Sequence, residues 1–155
     1  MAERSENSPD LSRKAVLEAE TDKHMNLVEN RLASFERWPF IGGDCRCTPE
    51  RMSEAGFYHC PTEEDPDLAR CYVCFMELHC WEPGDDPFKE HLCSPDCAFV
   101  RMSKKAEDLT VRDFLELEKA RAKNRAHKLA EMHMATLDDT MSKVNHETDK
   151  VRTKK

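Results

Sequence analysis

The sequence predicts an α+β chain: a small domain of short strands and short helices, followed by one long α-helix. Three observations lead there. All four glycines, at 42, 43, 56 and 84, lie in the middle of the chain among most of its prolines, a texture of tight turns between short elements. After residue 98 neither Gly nor Pro occurs, so nothing interrupts a helix up to Lys155. Between these features sit three cysteines and one histidine at the spacing of a metal site.

Cys71 and Cys74 form a C-x2-C pair; His91 follows after sixteen residues and Cys97 after five more. A C-x2-C turn offers two thiolates to one ion, and a distant His/Cys pair completes a tetrahedron, the preference of Zn²⁺. Three thiolates and one imidazole leave no position open for water, so a single structural zinc is expected rather than a catalytic one. Cys93 competes with Cys97 on spacing; Cys97 is favoured because Cys93 lies too near the turn that delivers His91.

The chain has 155 residues, with 24 Lys+Arg against 31 Asp+Glu and a net charge of −7. That average hides a split, 10 basic against 21 acidic residues up to residue 100 and 14 against 10 beyond it. An acidic front half disfavours direct DNA binding and suits a basic partner such as a peptide tail. No leader-like apolar segment opens the chain and no run of about 18 apolar residues exists, so no membrane span is expected. Eight cysteines without a secretory signal point to a reducing compartment, cytosol or nucleus.

Residues 1–29 are expected to be a polar, partly helical extension, with Ser8-Pro9-Asp10 as a helix entry and helical character from Leu11 to about Arg37. Leu27, Val28, Leu32 and Phe35 form its apolar stripe. Pro39 forces Trp38 into extended geometry and stops the helix. Residues 30–105 form the zinc domain. Thr48 caps a short helix that carries Pro49 at its first position. Phe57 to His59 and Ala69 to Phe75 read as strands around an acidic loop of Glu63, Glu64, Asp65 and Asp67. Pro87 to Leu92 reads as the helical turn that brings His91 to the metal. So small a core buries little apolar surface, and zinc is expected to make up the deficit.

Residues 106–155 are assigned to the long helix. Thr110 and Asp113 form its capping pair, and some forty residues would extend about 60 Å. Ala130, Met134, Leu137, Met141, Val144, Thr148 and Val151 step by alternating fours and threes, a heptad seam of small and soft side chains suited to foreign helices. Folding back onto the small domain is disfavoured, because a rod of that length exceeds what the domain could cover.

Several segments together resemble one family. Arg31-Leu-Ala-Ser-Phe-Glu-Arg-Trp38-Pro39, Ala55-Gly56-Phe57 and Cys71-x2-Cys74-x6-Trp81-x3-Asp85-x5-His91-x5-Cys97 are similar to the baculoviral inhibitor-of-apoptosis repeat, the BIR domain. Cys47-Thr-Pro-Glu-Arg-Met52, Pro66-Asp-Leu-Ala69, Trp81-Glu-Pro83 and Ala122-Lys-Asn124 are similar to the single-BIR branch that serves as chromosomal passengers. The resemblance covers residues 30 to about 126. It implies a short three-stranded sheet with short helices and no enzymatic activity. It also implies a subunit that targets an Aurora-type kinase, held indirectly, to centromeres and the spindle midzone in mitosis and cytokinesis, from the nucleus and, in interphase, the cytoplasm. The long helix would join helices of an inner-centromere protein and a borealin-like protein through Ala130, Met134, Leu137, Met141 and Val144. The wider family implies the alternative of an anti-apoptotic protein acting on caspases or on antagonists of the family.

The resemblance also implies a groove for a histone tail with a free N-terminal Ala. Leu78 and Trp81 match its apolar wall, Asp85 and Glu90 the carboxylates for the α-ammonium, and Asp65 an acid facing an Arg at the tail's second residue. Two carboxylates around a shielded amine make chemical sense, since charge-assisted hydrogen bonds are the stronger kind. Asp85 has a second reading, as the capping acid of the helix at Pro87. The family's phosphate-contacting Lys and His are replaced by Met76 and Ser94, which leaves His79, where the family has an acid, as the candidate phosphate contact. Val111 and Phe114 match dimer-contact positions, although Ala106 replaces an aromatic and no Trp precedes the domain. Cys45, Cys47 and Cys60 read as small packing residues, Cys80 as incidental, and His59 as a poor catalytic base without an oxyanion-type loop.

Overall fold

The structure, a computed structural model, describes Asp22 and residues 24–152. Its elements run α1 (Val28–Ala33), α2 (Pro49–Glu54), β1 (Phe57–His59), β2 (Ala69–Cys71), β3 (Glu77–Leu78), α3 (Pro87–His91), α4 (Ala98–Met102), a 3-10 turn (Ala106–Asp108) and α5 (Val111–Arg152). The three strands make one antiparallel sheet in the order β1-β2-β3, with Phe57 opposite Cys71 and Ala69 opposite Leu78. This is the expected α+β architecture. No helix among the described residues is long and apolar enough to cross a membrane.

The expected helix entry at Ser8 to Asp10 and the onset at Leu11 lie outside the described residues. Further on, the long first helix is corrected: α1 covers only Val28–Ala33, and 34–37 are turns. Its stripe is also corrected. Leu27 and Leu32 face solvent, while Phe35 is buried and Arg31, a cation, is 2% exposed. Arg31 is accommodated by three hydrogen bonds to backbone carbonyls. Its Nε donates to the Ser53 carbonyl at 2.9 Å, and Nη1 to those of Met25 and Asn26 at 2.7 and 3.1 Å. The guanidinium also lies 4.4 Å from the centroid of the Tyr72 ring. Burial works against the charge and lowers the Arg31 pKa from its ordinary value, with Tyr72 opposing.

The second strand is shorter than the expected Ala69 to Phe75. It ends at Cys71, because the C-x2-C pair must turn at once to aim both sulfurs inward; Phe75 leaves that turn with a φ of 59°. The caps form as expected. Thr48 accepts from Arg51 N, and Thr110 and Asp113 bond reciprocally ahead of α5.

Two compact units divide the chain, Ala19–Asn124 and a second that contains Arg125–Lys155. The first holds the core: Phe35, Trp38, Cys47, Met52, Phe57, Tyr58, Tyr72, Val73, Trp81 and Leu117. It extends past residue 105, because the opening turns of α5 are part of it. Leu117 is 1% exposed, and Asn124 Nδ2 donates to the Val73 carbonyl at 2.9 Å. Arg121, also buried, donates to the Asp22 carbonyl, with the Asp22 carboxylate 3.6 Å away. In the second unit Met134, Leu137, Met141, Val144 and Val151 are exposed, and the helix carries Asp139–Lys143 and Glu147–Lys150 ion pairs.

Leu117→Ala is therefore expected to cost roughly 2–5 kcal/mol in unfolding free energy. Leu137→Ala, on the exposed stretch, should change it by no more than about 0.5 kcal/mol. Denaturant melts of the zinc-loaded protein compare the two directly.

Candidate metal centre and adjoining groove

The metal centre is assembled from four points in the fold. Cys71 ends β2 and Cys74 follows in the knuckle, His91 closes α3, and Cys97 precedes α4. Their four ligand atoms lie within 4.8 Å of one another. Cys71 Sγ is 4.0 Å from Cys97 Sγ, and Cys74 Sγ is 3.7 Å from His91 Nε2. A zinc ion with bonds of about 2.3 Å to sulfur and 2.0 Å to nitrogen needs tetrahedron edges of roughly 3.5–3.8 Å, so the donors fit one ion with little adjustment. Among the described residues this is the single such cluster.

The surroundings orient each donor. His91 Nδ1 contacts the Ala55 carbonyl at 2.7 Å, which places the ring proton there and leaves Nε2 for the metal. Val73 N donates to Cys71 Sγ at 3.4 Å, steadying a thiolate inside the knuckle. The His91 ring lies 4.7 Å from Phe57 and stacks on Phe99 at 6.0 Å, so the site is walled from water. Gly56 makes that wall possible: its φ is 91°, and a Cβ there would sit 3.0 Å from the Phe99 ring. Cys93, the competing ligand, is exposed and donates to the Glu90 carbonyl.

Without an ion Cys71 and His91 favour their protonated forms and Cys74 its thiolate. Burial pushes the Cys71 thiol well above its ordinary range. Cys74 moves the opposite way, because hydrogen bonds from Cys71 and Cys97 favour its thiolate. Burial disfavours the His91 imidazolium, but hydrogen bonds to Cys74 and Cys97 outweigh it and raise the pKa to about 9. A divalent cation replaces those protons and settles the charge of three crowded sulfurs.

Around β3 the groove residues fall into two sets. Leu78 and Trp81 come together, Trp81 Nε1 donating to the Leu78 carbonyl at 3.2 Å. Trp81 is largely a core residue, packed edge-on to Phe57 and Trp38, with its backbone N held by Asp67. Asp85 Oδ2 accepts from Glu82 N at 2.8 Å and closes the turn after Trp81. The capping reading of Asp85 is corrected: the N-cap of α3 is Asp86, which accepts from Phe88 N. Glu90 is exposed on α3. The second set lines an open cavity of about 620 Å³: Thr62, Glu63, Glu64, Asp65, Leu68, Glu77 and His79. Asp65 and His79 meet here, at 3.3 Å, whereas Trp81, Asp85 and Glu90 are not among its walls.

His79 thus faces a carboxylate, and its contact with Asp65 gives the imidazole an acidic partner inside the domain. Sequence reasoning had missed Glu77 as a wall of this cavity, and had missed the buried cations Arg31 and Arg121. Spacing alone carried one signal for Arg31, its place three residues after Val28 and four before Phe35. His59 is structural: Nε2 bonds the Pro66 carbonyl and the ring stacks on Phe35. Cys47 is buried, as a packing residue should be.

Comparison with known proteins places these features together. Residues 31–101 match the BIR family, described as the Inhibitor of Apoptosis domain. Baculoviral IAP repeat-containing protein 5 of Cavia porcellus is 50% identical over 119 residues, spanning 76% of this chain and 83% of that protein. The Rattus norvegicus protein of the same name is 48% identical over 128 residues (82% and 89%), and that of Mus musculus 56% identical over 103 residues (66% and 73%).

Two outcomes follow for the metal. Cys97→Ser should lose the bound zinc and Cys93→Ser should keep one ion per chain, as read by metal analysis after gel filtration. Because metal entry must expel protons from Cys71 and from His91, whose pKa is about 9, apparent zinc affinity should rise with pH between 6 and 9 and weaken on acidification. Competition titrations against a chromophoric chelator measure that slope.

Proposed function

Since the chain belongs to the survivin family, the baculoviral IAP repeat-containing protein 5 group, we propose that it is a non-enzymatic subunit of a chromosomal passenger complex. The observation that carries this reading is the pairing of a closed Cys3His domain with an uncovered heptad seam. Met134, Leu137, Met141 and Val144 are all at least half exposed on α5. Four soft or aliphatic side chains at heptad spacing on a charged helix form a surface that gains by packing against other helices. In this reading the occupants are helices of an inner-centromere protein and a borealin-like protein, with Ala130 at the start of the seam. An Aurora-type kinase is held through them at centromeres and the spindle midzone.

The zinc domain then serves as the reader of a histone tail. Leu78 and Trp81 supply the apolar wall, Asp85 and Glu90 the carboxylates for a free N-terminal Ala, and Asp65 with the neighbouring acids a place for a basic side chain. The acidity of the cavity, Glu63, Glu64, Asp65 and Glu77 against His79, supports a cationic ligand. His79 is the one candidate for a phosphate contact, and its pairing with Asp65 makes that contact weaker than the Lys and His of the family would. Val111 and Phe114 are exposed at the start of α5 and are the positions for self-association, if the chain pairs with itself. A saturated Cys3His set supports a structural ion and not a hydrolytic one. The family's own description, inhibitor of apoptosis, supports a second reading as a ligand of caspases or of their antagonists.

Truncation at 105 is a poor test, because it would remove Leu117 from the core. Point variants on the exposed seam avoid that. Full-length protein should capture two helical partners from mitotic extract, and Leu137→Glu with Met141→Glu should reduce capture at least about tenfold, the effect of charges in a helix seam, while binding of an Ala-initiated histone-tail peptide persists. Capture of a protease by both forms, with no helical partner, would favour the second reading.

A further inference from the structure

Arginine precedes a serine or threonine by two residues at three places, Arg46/Thr48, Arg51/Ser53 and Arg101/Ser103. The tripeptide Arg-Met-Ser occurs twice, at 51–53 and 101–103, and the fold treats the two copies in opposite ways. Ser53 lies inside α2, is 1% exposed, and donates its hydroxyl to the Glu50 carbonyl at 2.8 Å. Thr48 is committed as the cap of the same helix and is followed by Pro49. Ser103 is exposed in the coil between α4 and the 3-10 turn, as are residues 104–108 after it. Its backbone is left-handed, with a φ of 49°, so α4 ends there and the chain changes direction.

We propose that Ser103 is a phosphorylation site for a basophilic serine kinase, one that selects Arg two residues before its target, and that the phosphate releases Lys104 from Asp113. In the transfer, Oγ of Ser103 forms a bond to the γ-phosphorus of ATP, the bond from that phosphorus to the β–γ bridging oxygen breaks, and ADP and the hydroxyl proton leave. Arg101, Lys104 and Lys105 flank the acceptor, so the motif is basic on both sides.

The consequence lies at the entry to α5. A single oxygen, Asp113 Oδ2, accepts from Lys104 Nζ at 2.7 Å, from Thr110 N at 2.9 Å and from Thr110 Oγ1 at 2.7 Å. The Lys104 bond is the leading cause that holds the Asp113 carboxyl down to about 2. Lys104 thereby ties the 103–110 linker to the first turn of the helix. A phosphate on the adjacent residue carries a charge of about −1.5 to −2 and three acceptor oxygens, and it competes with one shared carboxylate oxygen for the same ammonium. Lys105 offers less resistance: its contact with Glu107 is 3.8 Å long and fully solvated. Asp113 keeps its Thr110 bonds, so the helix persists while the linker loosens.

The test uses zinc-loaded full-length protein, MgATP and purified basophilic serine kinases in separate reactions. Phosphosite mapping should place phosphate on Ser103 and none on Ser53, and Ser103→Ala should remove it. Hydrogen exchange of the linker amides of Asp108 and Leu109, which bond the Lys105 and Ala106 carbonyls, should then quicken by roughly threefold or more, while the amides of α5 and the core stay protected. Lys104→Ala should quicken exchange similarly without phosphate. No incorporation at Ser103, phosphate on Ser53, or unchanged exchange in either the phosphorylated protein or Lys104→Ala would overturn the proposal.

Discussion

A tetrahedron of three sulfurs and one nitrogen is the constraint on which this fold depends. Its donors come from four points of the domain: the end of β2, the knuckle, the end of α3 and the residue before α4. The domain's strands are two or three residues long, too short to hold a register by ladder hydrogen bonds alone. Structural zinc contributes roughly 10–16 kcal/mol of apparent binding free energy, comparable with or larger than the whole net stability of an ordinary domain. The other ties from α3 to the sheet are few, chiefly the His91 bond to the Ala55 carbonyl and its ring contact with Phe57.

The metal also organises what lies beyond it. The knuckle that presents Cys71 and Cys74 carries Tyr72 and Val73 between them. Tyr72 packs against Arg31 and Phe99, and the Val73 carbonyl receives Asn124 of α5. The same four residues therefore bind the ion, cover the buried guanidinium and seat the start of the long helix. Sheet, first helix and last helix converge on one turn, which is why the compact unit runs to Asn124.

Much of this was legible in the sequence because it is local. The ligand set follows from spacing, the helix entries from Thr48, Pro49, Thr110 and Asp113, and the length of α5 from the lack of Gly and Pro. What escaped was non-local or countered a rule of composition. Arg31 is buried because the Ser53 carbonyl of another helix and those of Met25 and Asn26 just before its own helix meet its fork, and hydrophobic patterning cannot foresee a cation in a core. The strand from Ala69 was read too long because apolar residues continue through the knuckle, where metal geometry overrides strand propensity. Asp86 rather than Asp85 caps α3; two adjacent acids before a proline look alike in sequence, and only the turn at Glu82 tells them apart. Trp81 also packs edge-on against Phe57 and Trp38, contacts between elements far apart in the chain.

The tertiary packing of the domain depends on the ion's hold. The most direct measurement is near-ultraviolet circular dichroism of the full-length protein, which reports the fixed environments of Trp38 and Trp81, before and after zinc is stripped and then restored. The signal should collapse on stripping and return with one equivalent of zinc, while much of the far-ultraviolet helical signal of α5 remains. An aromatic signal that survives complete removal of metal would contradict it.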